Sequence, residues 1–163
     1  MITIKVINTP IGEMTLGTSK KGLCMCEFNN GRSDKVLAKE SFERGTNAIL
    51  EAAESQLTEY FAGKRTDFDL ELDLMGTEFQ KKVWTELLNI NYGSTSSYLE
   101  QAKKLGDVKA IRAMASANGK NKISIIVPCH RVIGSNGDLV GYGGGKENKK
   151  WLLDFESNQL SLF

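Results

Sequence analysis

The chain has 163 residues, 40% hydrophobic and 25% charged, a composition that is ordinary for a globular protein with a sizeable core. Its first residues lack a basic segment followed by an apolar one, and no apolar run approaches the ~18 residues of a membrane span. We therefore expect neither a secretory leader nor a membrane anchor. Three cysteines, an odd number without an export signal, favour free thiols in a reducing, cytoplasmic setting.

The net charge of +1 conceals an asymmetry along the chain. Residues 1–76 carry nine basic and twelve acidic side chains, whereas residues 101–150 carry ten basic and three acidic ones. Such a local excess of positive charge favours a face that binds a polyanion. A lysine-rich surface exposed only to water fits the charge equally well.

The first part of the chain is typical of a small antiparallel sheet followed by a helix. The segments ITIKVI, MTLGTS and LCMCEF alternate or are apolar, and the turn signals TPIG and KKG separate them. Thr46 is expected to cap a helix with Ile49, Ala53, Leu57 and Tyr60 on one side. Residues 64–76 alternate like a strand and are expected to connect the two halves.

The second half is predicted to be mostly helical. Thr77 and Gln80 form a capping-box pattern ahead of an apolar stripe that includes Phe79, Val83 and Leu87. Two shorter helices follow, beginning near Ser97 and at Asp107, with a Leu-Gly-Asp break between them. Two short helices joined by a tight turn with glycine predict a helix-turn-helix, although an αα-hairpin within the core has the same pattern.

The second of these helices has mostly small side chains, with Arg112 among them. Small side chains allow a close approach to another surface, which could be a nucleic-acid groove. The run ISIIV at 123–127 is predicted to be a buried strand, and a last helix covers ENKKWLLDFE. The loop GYGGG lacks the spacing of a phosphate-binding Walker loop.

The segment VPCHRV places the only histidine, His130, directly after Cys129. The Cys24 and Cys26 pair lies about a hundred residues before the Cys129–His130 pair, which does not match the usual close pairs of zinc ligands, and a disulfide would contradict the reducing setting. A buried structural cysteine remains possible. However, the neighbouring His130 and Arg131 could both favour a thiolate. If Cys129 is a nucleophile, His130 is its only imidazole partner, and their adjacency requires a turn or an intervening water.

A family resemblance covers residues 76–156 almost without gaps. The run GTEFQKKVW, NYGSTSSYLEQA, AIRAMASANGKN, IIVPCHRVIGSNGDLVGYGGG and KKWLLDFE resembles the O6-alkylguanine-DNA alkyltransferases. The opening TPIGEMTLGTSKKGLC is similar to the family's N-terminal sheet domain. The resemblance implies that an alkyl group on O6 of guanine, or on O4 of thymine, in DNA is transferred irreversibly to a cysteine of the protein, which is thereby consumed. It implies neither a cofactor nor a metal.

The resemblance also implies roles for individual residues. Cys129 would accept the alkyl group, His130 would draw off the thiol proton through a water, and Glu156 would orient the imidazole. Tyr98 would donate a hydrogen bond to the departing base, and Asn121 would tie the helix-turn-helix to the PCHR turn. The remaining implied positions are DNA contacts by Arg112, Ala113, Ser116, Ala117, Tyr98 and Arg131, and a guanine pocket lined by Val132, Tyr142 and Gly143.

The implied fold class is α+β. A ribonuclease-H-like sheet and helix domain would span residues 1–70, and a mostly helical catalytic domain with the helix-turn-helix would span 71–157. Residues 158–163 would form a tail. The implied partner is double-stranded DNA, bound through the minor groove by a monomer, with Arg112 filling the space of the flipped nucleotide.

The tail residues Gln159, Leu160, Leu162 and Phe163 resemble the peptide by which bacterial DNA-maintenance proteins bind the sliding clamp. A free peptide with leucine and phenylalanine anchors suits an apolar pocket. The same residues could instead pack on the domain.

Two other function classes remain compatible with parts of this pattern. One is a lesion-binding protein that does not transfer the alkyl group. The other is a transcription factor that reads the major groove, for which the small side chains of the second helix offer few base contacts.

Overall fold

The computed structural model describes residues 1–29, 41–137, 139 and 142–160. The chain divides into two compact units, Met1–Met75 and Gly76–Phe163. The sequence predicts a boundary after residue 70, but the first unit extends five residues further. The reason is a β-bridge: Leu23 N donates to Glu71 O at 2.8 Å, and Asp73 N donates to Leu23 O at 2.8 Å. Gly22 permits this approach, since a Cβ there would lie 2.6 Å from Glu71 O.

A four-stranded sheet forms the first unit together with one helix. The strands are β1 (Ile2–Thr9), β2 (Gly12–Thr18), β3 (Leu23–Phe28) and β4 (Phe42–Arg44), in the order β3-β2-β1-β4. The first three are antiparallel, as the sequence predicts. Strand β4 pairs parallel to β1 and has only exposed residues, so no apolar alternation reveals it in the sequence.

Helix α1 (Ala48–Phe61) packs on β1 and β2 through Leu50, Ala53, Leu57 and Tyr60. Its N-cap is Asn47, whose side chain accepts a hydrogen bond from Leu50 N, and not the predicted Thr46. The start of the helix is shifted by one residue, which places Leu50 in the core and leaves Ile49 half-buried.

The second unit begins with α2 (Glu78–Leu87), whose N-cap Thr77 forms the predicted capping box with Gln80. Val83, Trp84 and Leu87 are buried, while Phe79 is 38% exposed and does not belong to the core. Trp84 Nε1 donates to Ala117 O at 2.8 Å, and this bond joins α2 to α4 (Ile111–Gly119).

Helices α3 (Tyr98–Leu105) and α4 are the two short helices expected from the sequence. Gly106 ends α3 in the left-handed region at φ 82°, and Asp107 caps a short 3-10 turn, Val108–Ala110, that leads into α4. The two helices are joined inside by a pair of buried amides. Gln101 Nε2 donates to Asn118 Oδ1 at 3.0 Å, and Asn118 Nδ2 donates to Gln101 Oε1 at 2.8 Å.

The run 123–127 is a buried turn and not the strand that its apolar composition predicts. Ile125 has φ 71°, a left-handed conformation that a β-branched side chain adopts only under constraint. After it come the 3-10 turn Cys129–Arg131 and strand β6 (Val132–Ile133), which pairs parallel to β5 (Ser96–Ser97).

The last helix, α5 (Lys146–Leu160), is longer than the sequence predicts. It includes Gln159 and Leu160, so the first half of the predicted tail is helical. Leu162 and Phe163 lie outside the described residues, as does the side chain of Leu160. Within the described part of the chain, no helix is long and apolar enough to cross a membrane.

Candidate functional site

The centre of the site is the single 3-10 turn that holds Cys129, His130 and Arg131, all of them buried. Asn121 holds the approach to this turn. Its Oδ1 accepts from Ile123 N at 3.0 Å, while its Nδ2 donates to Val127 O at 2.8 Å and lies 3.2 Å from Cys129 Sγ. The predicted link from Asn121 to the PCHR turn is therefore present in the structure as a set of direct bonds.

His130 and Glu156 form a buried pair behind the cysteine. His130 Nε2 lies 2.8 Å from Glu156 Oε2, and the two residues are 0% and 1% exposed. A carboxylate at Nε2 places the ring proton there and leaves the lone pair on Nδ1. His130 Nδ1 is buried and has no hydrogen-bond partner among the described residues, so this nitrogen is available as a base.

The two groups have shifted ionisation. Burial lowers the pKa of His130, against the opposing effect of its hydrogen bond to Glu156, so the ring is neutral at neutral pH. Burial raises the pKa of Glu156, but hydrogen bonds from His130 and Arg131 and the adjacent positive charge outweigh it and lower that pKa to about 2. A neutral imidazole beside a fixed carboxylate is suited to accept a proton.

Arg131 binds the carboxylate of this pair. It is 6% exposed, and its guanidinium donates to both oxygens of Glu156, from Nε to Oε1 at 2.9 Å and from Nη2 to Oε2 at 3.0 Å. A third bond runs from Nη1 to Ile90 O at 2.7 Å. In the structure the fork of this buried guanidinium is occupied by the Glu156 carboxylate, which it holds in place. A contact of Arg131 with DNA stays a prediction.

Several residues that the resemblance assigns to the pocket lie on elements next to this turn. Tyr98, the first residue of α3, is half-buried, and burial raises its pKa. The parallel pairing of β5 with β6 sets Ser97 opposite Ile133. Tyr98 directly follows Ser97 and Val132 directly precedes Ile133, so this pairing brings the start of α3 next to the strand that follows the cysteine turn. The ring of Tyr142 lies 6.4 Å from that of His130, and Gly143 follows it, half-buried.

Helix α4 presents part of its predicted DNA surface. Arg112, Ala113 and Ser116 are exposed, consistent with a surface that another molecule can approach. Ala117 is 2% exposed, and its carbonyl accepts a hydrogen bond from Trp84 Nε1. Its assignment as a DNA contact stays a prediction. The small side chain there serves packing against α2.

One residue of the site is absent from the sequence-based predictions. Lys149 is 1% exposed, and its Nζ donates to Val132 O at 2.6 Å. It stands seven positions before Glu156 and three before the buried Leu152, so helical periodicity could have placed all three on one inward face. The three cysteines are free thiols. No group of three His, Cys, Asp or Glu side chains that could hold a metal ion occurs in the described ranges.

Comparison with known proteins agrees with this geometry. The 6-O-methylguanine DNA methyltransferase DNA-binding domain matches residues 78–158, and the family's ribonuclease-like domain matches residues 2–74. A methylated-DNA–protein-cysteine methyltransferase of Mycobacterium tuberculosis is 45% identical and covers 100% of this chain and 99% of its own length. One of Methanosarcina barkeri is 43% identical, covering 95% of this chain and 97% of its own.

Solved structures give the same result. The O6-methylguanine methyltransferase of M. tuberculosis superposes with a TM-score of 0.87 at 43% identity, covering 100% of this chain and 99% of its own. A complex of the M. tuberculosis protein with DNA has a TM-score of 0.87 at 43% identity, covering 96% and 94%. With both domains matched and relatives of this identity along the whole chain, the protein belongs to the 6-O-methylguanine DNA methyltransferase family.

Proposed function

We propose that this protein repairs DNA by transferring the alkyl group from O6 of guanine to the Sγ of Cys129, once per molecule. The observation that carries this proposal is the buried turn in which Cys129 adjoins His130, with Glu156 at 2.8 Å from the imidazole and Asn121 at 3.2 Å from the sulfur. The family to which the chain belongs supplies the reaction class.

The chemistry follows from these groups. The Cys129 thiol loses its proton to His130 Nδ1 through a bridging water, and the imidazolium is stabilised by the Glu156 carboxylate. The thiolate attacks the alkyl carbon, so that an S–C bond forms while the C–O6 bond breaks. The electron pair of the broken bond stays with the guanine, which takes a hydrogen bond or proton from the Tyr98 hydroxyl. The thioether is stable, and no step restores the thiol.

A base inside a duplex is out of reach of this thiol. An alkyl group on O6 lies within the stack, so the nucleotide must be extruded into a pocket, which we propose is lined by Val132, Tyr142 and Gly143. We propose that α4 enters the minor groove and that Arg112 occupies the space left by the base. The exposure of Arg112, Ala113 and Ser116 on one helix supports this arrangement.

Mass measurement tests the proposal. The protein is incubated with a duplex containing O6-methylguanine, and the intact mass and the peptide carrying Cys129 are measured. A gain of one methylene on that peptide, lost in Cys129→Ala, is the expected result. Tight binding without a change in mass would replace the proposal with that of a lesion-binding protein. O4-methylthymine in the same duplex extends the test to the second substrate.

We also propose that the protein acts as a cytoplasmic monomer, without a cofactor. The buried free thiols of Cys24, Cys26 and Cys129 support a reducing compartment. Sedimentation of the protein alone and with DNA tests the monomer, and a dimer in the absence of DNA would overturn it.

The sequence of the tail supports one further partner, the bacterial sliding clamp. Gln159 and Leu160 end α5, so that binding as an extended peptide would require the last turn of this helix to unwind. Deleting residues 159–163 should abolish binding to the clamp and leave methyl transfer to free DNA unchanged. Equal clamp binding by the full and shortened proteins would refute this partner.

A further inference from the structure

Two buried amides connect the helices of the helix-turn-helix, and the reaction described above does not use them. Gln101 of α3 is 1% exposed, and Asn118 of α4 is 4% exposed. Gln101 Nε2 donates to Asn118 Oδ1 at 3.0 Å, and Asn118 Nδ2 donates to Gln101 Oε1 at 2.8 Å. Each side chain thus both donates to and accepts from the other, and we call these two residues the amide pair.

Stability alone does not explain the amide pair. A buried amide loses its bonds to water, and a hydrogen bond inside the protein returns little more than that loss. Two apolar side chains of similar size would therefore stabilise the helices about as well. The amides differ from such side chains in direction, because reciprocal hydrogen bonds form at only one relative position of the two helices. The amide pair therefore fixes the register of α3 against α4.

The other buried side chains of these two helices specify their relative position weakly. They are Ala102 on α3 and Met114 and Ala117 on α4. Alanine has no side chain beyond Cβ, and methionine adapts to irregular space, so both still pack after a small slide or rotation of a helix. The direction of the amide bonds supplies the constraint that this apolar packing lacks.

The amide pair lies between the two helix-turn-helix residues that the proposed reaction uses. Tyr98 is three positions before Gln101 on α3, which is the spacing of neighbours on one face of a helix. Asn121 is three positions after Asn118, and its backbone N–H donates to Asn118 O at 3.2 Å. The side-chain Nδ2 of Asn121 lies 3.2 Å from Cys129 Sγ. The register of the two helices thus sets the position of Tyr98 relative to Asn121.

We propose that Gln101 and Asn118 are positioning residues for alkyl transfer: the amide pair holds the Tyr98 hydroxyl and the Asn121 amide at the spacing that the transition state requires. Tyr98 serves the departing base and Asn121 lies at the attacking sulfur, so the two groups act at opposite ends of the transfer. An error of about 1 Å in such a spacing can slow a reaction by on the order of 100-fold. Neither amide of the pair touches the substrate or exchanges a proton. This inference rests on the proposed function.

A pair of leucines separates direction from packing. In the double variant Gln101→Leu with Asn118→Leu, side chains of similar size keep the helices packed without directional bonds. The single-turnover rate constant at saturating O6-methylguanine duplex is measured from the mass of the Cys129 peptide, together with the duplex concentration that gives half of this rate. The same peptide gives the rate with O6-methylguanine as the free base. The matched control is Gln56→Leu, since Gln56 makes the same kind of reciprocal bonds with the backbone of Asp69 in the first unit.

We expect the saturated rate constant of the double variant to fall about tenfold or more, and by the same factor for the duplex and for the free base. The half-saturating duplex concentration should not change, because the exposed surface of α4 is untouched, and Gln56→Leu should keep the full rate. A folded double variant with the rate constant of the unchanged protein would overturn the proposal. A loss confined to the duplex would also overturn it, because the amide pair would then serve DNA binding.

If the double variant does not fold, Gln101→Asn gives the same decision with the same measurements, because the shorter side chain breaks the reciprocal bonds. Adding Asn118→Gln restores the combined length of the two amides. Recovery of the rate in this second variant supports the proposal, and a further loss would overturn it. Absence of transfer to Cys129 in the unchanged protein would instead reject the proposed function, whereas equal transfer by the unchanged and leucine proteins rejects only the role of the amide pair.

Discussion

Replacing Arg131 with methionine tests whether this residue holds Glu156 or contacts DNA. The guanidinium makes three hydrogen bonds of 2.7 to 3.0 Å, two of them to Glu156, and both side chains are at most 7% exposed. Methionine is of similar length but removes both guanidinium hydrogen bonds from a carboxylate that stays buried beside His130. Breaking a buried pair on one side costs about 3–5 kcal/mol of unfolding free energy. In a chain of this length that lowers the melting temperature by on the order of 10 °C.

DNA affinity gives the second measurement, made in a Cys129→Ala background so that no transfer occurs. Each lost phosphate contact reduces the slope of log affinity against log salt by about 0.9, and we expect no such reduction for Arg131→Met. Lys120→Met, at an exposed position after α4, is the matched control and should change stability by less than about 0.5 kcal/mol. Arg131→Met with full stability and a reduced salt slope would refute the role given to Arg131.

Four further outcomes are expected. Because the pKa of Glu156 is lowered to about 2, its contribution to stability is complete above the ordinary value of 4.5 and is lost as the pH falls towards 2. Between pH 4.5 and pH 2, the difference in unfolding free energy between the unchanged protein and Glu156→Gln, measured by denaturant titration, should shrink by about 3 kcal/mol. A difference that stays constant with pH would contradict the lowered pKa of Glu156. Because burial lowers the pKa of His130 below its ordinary value of 6.5, the imidazole should still be mostly neutral at that pH, and the transfer rate should not yet fall. The rate should decline only at lower pH, where His130 becomes protonated. Gln101→Leu should cost about 1–3 kcal/mol by leaving Asn118 unpaired, and adding Asn118→Leu should recover part of this in a double-mutant cycle; additive losses would argue against the pair. Arg112→Ala should slow repair of a duplex far more than reaction with a free O6-alkylguanine base, and equal losses would argue against a role in flipping.

The sequence predicts those parts of the fold that depend on local patterns. The three antiparallel strands, the Thr77 capping box and the turn at Gly106 follow from alternation, caps and glycine, which act over a few residues. Strand β4 was not predictable, because its three residues are exposed and its pairing partner is about forty positions earlier.

The candidate site was predictable only where chemistry marked it. Cys129, His130 and Glu156 follow from the family resemblance, and the structure brings the last two within 2.8 Å. The resemblance placed Arg131 among the DNA contacts, and its bonds to Glu156, 25 positions later in the chain, could not be predicted because no local pattern links the two residues. Lys149 was not singled out, although its helical spacing from Leu152 and Glu156 could have placed all three on one inward face of the last helix.

The left-handed conformation of Ile125 also bears on when the thiol becomes reactive. A buried isoleucine at φ 71° costs on the order of 1–3 kcal/mol locally, so residues 123–127 do not adopt this turn by themselves. The turn forms only when Asn121 and the surrounding core hold both of its ends. Under the proposed function, the acceptor thiol of Cys129 is therefore brought to its base and carboxylate only in the folded unit, and folding is a precondition of the transfer.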